Sequence, residues 1–255
     1  MNILAVGDIV GSTGVKELQK RLGKVKQQYN IDFCIVNGEN AAEGMGITEK
    51  NFNDILSAGA DCITMGNHTW GKKDIFKFID HPKLLRPANY PEGVCGKGYG
   101  IYNCKDKKIA VINALGRAEI SIMTDNPFLV IKKIVDKIKT EVDIIMLDFH
   151  AEASAEKKAM GYYLDGEITA QFGTHTHVQT ADEQILEKGT AYITDIGMTG
   201  PKNSIIGMDK EAALKRFLTA LPERYKIAGG EAIFNGVVFR INDSTNKVEE
   251  MIRIS

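Results

Sequence analysis

Nothing in the 255 residues approaches the roughly 20 consecutive apolar residues that a bilayer-spanning helix needs; the longest apolar runs, such as 144–147 and 236–239, are far shorter. No membrane span is expected. Nor is there a surplus of either charge: 32 Lys and Arg stand against 33 Asp and Glu, a formal net charge of −1. No global field therefore draws the chain to phosphate backbones or anionic lipid, and bulk coating of nucleic acid is disfavoured. The 4 cysteines, Cys34, Cys62, Cys95 and Cys104, match neither a CxxC nor a zinc-ribbon spacing and read as buried free thiols. The beginning, Met1 to Gly7, has no basic stretch and no small-residue cleavage site, and it reads as the first strand of a cytoplasmic protein. A flexible linker, a low-complexity tract and an internal repeat are all missing.

Several nucleotide-handling motifs are absent too. There is no GxxxxGK[ST] segment and no GxSxG elbow, which excludes P-loop and α/β-hydrolase chemistry. Gly7, Gly11 and Gly14 invite a dinucleotide-binding reading, but their spacing is not GxGxxG, and Asp8 would place a negative charge where a pyrophosphate must approach. These glycines make better sense as turn residues that bring the chain close beside an ion held by Asp8, before Ser12 or Thr13 caps the first helix.

What is present is an ordinary globular composition, 44% hydrophobic and 25% charged, in a length that suits one large domain over residues 1–255. Its first third alternates strand-like and helix-like patterns. Asn2 to Val6 is a short apolar run; Val15, Leu18, Leu22, Val25 and Tyr29 then recur at helical spacing; Phe33 to Val36 is the next strand. A second helix is predicted from Thr48, its N-cap, to Gly59, its stop, followed by a strand over Cys62 to Met65. Two successive strand–helix–strand units imply an α/β fold with a parallel sheet.

Beyond it, Leu84 to Gly100 reads as loop, Ile109 to Leu115 as strand, and Asn126-Pro127 as a helix start. Asp143 to Phe149, Ile168 to Phe172 and Ala191 to Thr194 read as strands; Ala153 to Leu164 and Glu211 to Leu221 read as helices. The tail reads as two strands, Ile233 to Ile241 and Val248 to Ile254, joined by a polar turn.

Ligands of parallel α/β sheets bind outside the carboxyl ends of the strands. The predicted strand exits carry, in order, Gly7-Asp8, Asn37-Gly38-Glu39-Asn40, Gly66-Asn67-His68, Phe149-His150 and Gly173-Thr174-His175-Thr176-His177. Each exit thus delivers a metal-capable side chain. Singly, any of these histidines would read as a satisfied structural residue; together with Asp8 and Glu39 at equivalent positions they read as metal ligands. Imidazole and carboxylate donors without thiolate suit Mn, Fe or Zn and do not suit an iron–sulfur site.

His175 and His177 would point to opposite faces of a regular strand, so joint binding requires a loop there. A carboxylate such as Glu39 can bridge two cations about 3.5 to 4 Å apart, the separation that clamps both oxygens of a phosphoryl transfer. His81, before Pro82, reads as a surface residue. Trp70 reads as a pocket wall or a core anchor, Gly44-Met45-Gly46 as a mobile loop or a turn, and Thr194 to Pro201 as pocket lining or structure.

The ordered set Gly-Asp, Asn-Gly-Glu-Asn, Gly-Asn-His, strand-end His and Gly-Thr-His-Thr-His resembles the calcineurin-like metallophosphoesterase superfamily and, within it, the YmdB-type family of bacterial phosphodiesterases. The resemblance covers essentially the whole chain. It implies a four-layer α/β/β/α sandwich with two mixed β-sheets, of which composition and periodicity reach only the parallel start and the β-rich end. It also implies two divalent metal ions, Fe or Mn first with Zn or Mg as alternatives. One ion would be held by Asp8, Glu39, Asn40 and His177, the other by Glu39, Asn67, His150 and His175.

The ions would activate a bridging hydroxide, and His68 would protonate the leaving oxygen. The implied substrates are small phosphodiesters, cyclic nucleotides such as 2′,3′- or 3′,5′-cyclic AMP, and the implied assembly is a homo-oligomer. Two readings from other classes stand beside it: a nucleotide-binding module without hydrolysis, and a regulatory protein that metals only stabilise. The chain departs from the superfamily at Asp8-Ile9-Val10, where an Asp-x-His opening is usual, and at Glu39-Asn40, where a bridging Asp is usual.

Overall fold

The computed structural model describes residues 1–224 and 226–255. In chain order the elements are β1 (Asn2–Val6), β2 (Asp8–Ile9), α1 (Gly11–Gln28), β3 (Phe33–Asn37), α2 (Glu49–Ala58), β4 (Cys62–Thr64), a 3-10 turn (Lys73–Lys77), β5 (Leu84–Leu85), β6 (Tyr99–Cys104) and β7 (Lys107–Leu115). They continue with α3 (Pro127–Ile138), β8 (Ile144–His150), α4 (Ser154–Tyr163), β9 (Ala170–Thr174), β10 (Gln184–Ile185), β11 (Ala191–Ile193), β12 (Met198–Pro201), α5 (Lys210–Thr219), β13 (Ala232–Ile233), β14 (Gly236–Ile241) and β15 (Val248–Ile254).

Two six-stranded sheets carry the architecture, in the orders β15-β14-β1-β3-β4-β5 and β10-β11-β9-β8-β7-β6. Both are mixed: the first is parallel from β1 to β5 with an antiparallel hairpin on its edge, and the second is parallel from β11 to β7 with antiparallel strands at both edges. The strand period of two assigns the layers. Ile3, Ala5, Phe33 and Ile35 of the first sheet pack against Ile109, Val111, Ile144, Met146 and Phe172 of the second, forming the inter-sheet core. The alternate residues Leu4, Val6, Cys34 and Val36 face α1 and α2 through Leu18, Leu22 and Ile55. On the far side, Ala110, Ile112, Leu147 and Phe149 meet Ile131, Val135 and Met160 of α3 and α4. The result is a four-layer α/β/β/α sandwich. Among the described residues no helix is long and apolar enough to cross a membrane.

Helix ends follow local chemistry in two of the three predicted places. Thr48 forms a capping box with Asn51, and Gly59 closes α2 in the left-handed region at φ 115°. The Asn126 side chain accepts from the Phe128 N–H at 3.0 Å, with Pro127 in the first turn. The expected cap of α1 by Ser12 or Thr13 is corrected: the helix begins at Gly11 and its N-cap, Val10, makes no side-chain cap bond. The Gly11 N–H instead donates to the Asn40 carbonyl at 2.9 Å, so a long-range tie to a candidate ligand loop replaces the local cap.

Other corrections concern short elements. Leu84 and Leu85, expected as loop, are fully buried and add an edge strand to the first sheet, and β6 already begins at Tyr99. The strand expected over Ile233 to Ile241 is interrupted, because Ala232–Ile233 pair with β12 in a separate three-stranded sheet ordered β13-β12-β2. Cys34 and Cys62 are buried, and burial pushes both thiols up, but Cys95 is exposed and Cys104 half-buried, against the expectation for all four.

Helix α1 contains two glycines that test how close its packing is. At Gly14 an added Cβ would lie 2.2 Å from the Thr199 carbonyl oxygen, whereas at Gly23 it would meet nothing within 4 Å among the described residues outside the helix's own backbone. Gly23→Ala is expected to stabilise by about 0.5–1 kcal/mol through helix propensity. Gly14→Ala is expected to destabilise by about 1–3 kcal/mol despite the same gain, because β12 must move. Urea denaturation of both variants measures the opposite signs.

Candidate metal centre

Asp8 follows β1, Glu39 and Asn40 follow β3, Asn67 and His68 follow β4, His150 ends β8, and His175 and His177 follow β9. The fold brings all eight to one carboxyl edge shared by the two sheets. Glu39 lies at their centre, fully buried. Its Oε1 is 3.1 Å from His150 Nε2 and accepts from Asn40 Nδ2 at 3.1 Å, while its Oε2 accepts from the His68 backbone N–H at 2.9 Å.

On one flank, Asn67 Oδ1 and His175 Nδ1 lie 2.8 and 3.0 Å from His150 Nε2. On the other flank, His177 Nε2 lies 3.1 Å from Asn40 Nδ2 and 3.8 Å from Asp8 Oδ1. His68 stands at the rim, its side chain 32% exposed and its Nδ1 2.8 Å from Asn40 Oδ1.

The residues fit divalent cations. Glu39, His150 and His175 offer ligand atoms that lie within 4.8 Å of one another. Asp8 Oδ1 is buried and has no hydrogen-bond partner among the described residues. At Gly66 an added Cβ would sit 2.3 Å from Glu39 Oε2 and 2.4 Å from His150 Nε2, so glycine keeps the space between them open. Nitrogen and oxygen donors without thiolate suit Mn, Fe or Zn.

The loop required at His175 and His177 is present, and it is strained. Both residues adopt left-handed φ values, 102° and 64°, which a non-glycine side chain takes only when its surroundings enforce it. Outer contacts orient the rings. His177 Nδ1 is 2.8 Å from the Ile206 carbonyl, which can only accept, so the ring is protonated there and Nε2 faces Asp8 and Asn40. His175 Nε2 is 3.1 Å from Glu152, which leaves Nδ1 toward His150.

Behind the loop, the fully buried Asp195 accepts from the Thr176 N–H at 3.1 Å and from the buried Lys157 ammonium at 2.7 Å. Asp8 is held by backbone: β2 pairs with β12, and the Asp8 N–H donates to the Gly197 carbonyl at 3.1 Å. The segment Thr194 to Pro201 is therefore buried support for the loops, not pocket lining.

Desolvation and mutual charge set opposite protonation tendencies within a few ångströms. Burial raises Asp8 to about 6, against the pull of His177 and His150. Burial also opposes the charge on Glu39, but His150 and His68 outweigh it and hold the carboxyl well below the usual range. Burial works against a charged His150, yet Glu39 and Asp8 raise it to about 9. Burial and the His150 charge lower His175 to about 3.

Sequence reasoning did not reach Glu152, Lys157 or Ile206, and it reached Asp195 only as part of the Thr194 to Pro201 segment, without its role behind the loop. The signal for Asp195 was a charge between buried neighbours; Glu152 and Ile206 carry no local signal. Trp70 packs against the outer core and stacks on Phe76 at 5.4 Å, and His81 lies away from the site with its ring edge-on to Phe52. The Gly44-Met45-Gly46 segment is a turn, closed by the Ala42 N–H on the Gly46 carbonyl at 2.9 Å. It borders a cavity of about 1210 Å³ lined by Ser12, Thr13, Ala41, Ala42, Met45 and Lys72, among others. None of the eight side chains lines that cavity.

The four layers and the histidine- and carboxylate-bearing edge define a metallophosphoesterase-type protein. A family model described as YmdB-like protein matches residues 4–254, and the chain belongs to that family. A relative from Bacillus subtilis (strain 168), described as a 2′,3′-cyclic-nucleotide 2′-phosphodiesterase, is 51% identical over 255 residues, covering 100% of this chain and 96% of the relative. A crystal structure described as a novel phosphatase of Mycoplasma pneumoniae superposes with a TM-score of 0.94 at 37% identity, covering 100% of this chain and 93% of that one. A 5′-nucleotidase precursor from Thermus thermophilus, at 10% identity and a TM-score of 0.57 over 100% of this chain and 54% of that one, shares the fold.

A bound cation would compete with a proton for His150. Its raised value of about 9 means that the apo protein carries a proton there near neutral pH. Manganese binding is expected to release about one proton near neutral pH, with affinity rising as pH climbs toward that value. Calorimetric titrations in buffers of differing ionisation enthalpy measure the release; binding without it would contradict His150 as a ligand.

Proposed function

We infer that the protein is a metal-dependent phosphodiesterase of small phosphodiesters, cyclic nucleotides foremost, with a dinuclear centre. Asp8, Glu39, Asn40 and His177 would hold one divalent ion, and Glu39, Asn67, His150 and His175 the other. The observation that carries this reading is the convergence of these donors on one buried carboxylate, Glu39, which faces both flanks of the cluster. The description of the 51% identical relative supports 2′,3′-cyclic nucleotides over 3′,5′-cyclic AMP as the substrate.

Bound there, divalent ions supply Lewis acidity to the phosphoryl oxygens and lower the pKa of water. The chain's own residues do the rest. Attack of water on a 2′,3′-cyclic phosphate breaks the bond between phosphorus and O2′ and leaves a 3′-phosphomonoester; the departing alkoxide needs a proton. His68 is placed to give it. It is the one histidine of the cluster at the rim that is not assigned to an ion, and Asn40 Oδ1 accepts its Nδ1–H at 2.8 Å, so a protonated ring turns its Nε2–H outward.

Hydrolysis of bis-p-nitrophenyl phosphate, abolished by chelation and restored by manganese, is the expected outcome. A protein that retains nucleotide without product, or that only gains thermal stability from metal, would overturn the reading. Glu39→Gln is expected to remove activity and metal together. His68→Ala is expected to keep its metal content while turnover falls by about 10²- to 10⁴-fold. Elemental analysis beside steady-state rates separates the two roles.

A further inference from the structure

Asp148 is a fully buried carboxylate to which the proposed mechanism gives no task. It lies on β8 two residues before His150, on the inward face otherwise occupied by Ile144 and Met146 of the inter-sheet core. Its Oδ2 accepts from Thr64 Oγ1 at 2.5 Å and from Asn37 Nδ2 at 3.2 Å, both in the first sheet. Its Oδ1 accepts from Thr174 Oγ1 at 2.7 Å, in the second sheet. Thr174 Oγ1 is in turn 2.8 Å from His150 Nδ1.

Counting protons orders this chain. A threonine hydroxyl has one proton; given to Asp148, it leaves only lone pairs for the imidazole. His150 must therefore donate from Nδ1, which leaves Nε2, the atom facing Glu39, Asn67 and His175, as the one whose proton a bound cation would displace. The partners of Asp148 also share a location. Asn37 ends the strand that leads into Glu39 and Asn40, Thr64 the strand before Asn67 and His68, and Thr174 the strand before His175 and His177. One carboxylate thus ties three strand ends, each of which launches a candidate ligand loop, to the end of its own strand, which carries His150.

We propose that Asp148 is a positioning residue: acting through Thr174, it fixes the tautomer and aim of His150, and it sets the spacing between the ligand loops of the two sheets. The proposal rests on His150 being a metal ligand for its functional consequence, though not for the hydrogen-bond relay itself. A hydrogen-bonded outer partner of a ligand histidine is worth roughly 10- to 100-fold in metal affinity.

The test compares Thr174→Val, which keeps the shape and removes the hydroxyl, with Thr174→Ser, which keeps the hydroxyl. Manganese affinity is read by competition with a chromophoric chelator, and bis-p-nitrophenyl phosphate hydrolysis is followed at limiting and saturating manganese. The valine variant is expected to bind manganese about 10- to 100-fold more weakly, to lose kcat at limiting metal, to recover it at saturation, and to keep its KM. The serine variant is expected to stay near wild type. Equal affinity in the valine variant, or an equal loss in the serine variant, overturns the proposal.

A second measurement needs neither variant nor metal: nitrogen-15 histidine spectra of the metal-free wild type should show an exchange-protected Nδ1 proton on His150, and its absence also overturns the proposal. A wild type that shows this proton but binds no manganese would sink the phosphodiesterase reading and leave the relay standing.

Discussion

A carboxylate removed from water at the seam between two sheets is the constraint around which this molecule is organised. Glu39 has no exposure, and burying an unpaired ionised group there would cost far more than a single fold can spare. Everything within reach answers that charge: the His150 ring, the Asn40 amide and the His68 backbone N–H each meet one of its oxygens. The two sheets can end side by side at this edge because the polar groups they bury there have partners in each other.

Such compensation remains incomplete without positive charge. Asp8 keeps one oxygen unpartnered among the described residues, and its carboxyl is raised to about 6, while His150 is raised to about 9 and His175 is pressed down to about 3. Neighbouring groups pulled in opposite directions are the signature of a candidate functional site. The surrounding chain is held by a dense set of contacts. Two histidines with left-handed φ are held by Asp195, Glu152 and the Ile206 carbonyl, and Asp8 is pinned by a two-residue strand.

Much of the frame was legible in the chain itself. The helical spacing of Val15, Leu18, Leu22 and Val25 faces the first sheet as read, and Thr48 and Gly59 bound α2 as their side-chain chemistry requires. The short elements were not legible. Nothing local distinguishes Asp8–Ile9 or Met198–Pro201 as strands, because they form by pairing across long sequence separations, the first with the second and the second also with Ala232–Ile233. Leu84–Leu85 sits in a Pro- and Gly-rich stretch whose loop signal is genuine and is overridden by burial against β4. At the candidate site, the side chains at strand exits could be picked out by type and position, but the groups that aim them could not: Glu152 meets His175, and Thr174 meets His150, only in three dimensions.

The sequence by itself determined the alternation of strands and helices, the apolar faces, and which residues could bind a cation, because periodicity and side-chain chemistry are local properties. Tertiary structure alone decided that eight of those residues share one edge, which ring nitrogen each histidine turns inward, and which buried carboxylates hold them there. Those outcomes depend on two sheets meeting face to face and on hydrogen bonds between residues far apart in the chain, and no local pattern encodes such distances.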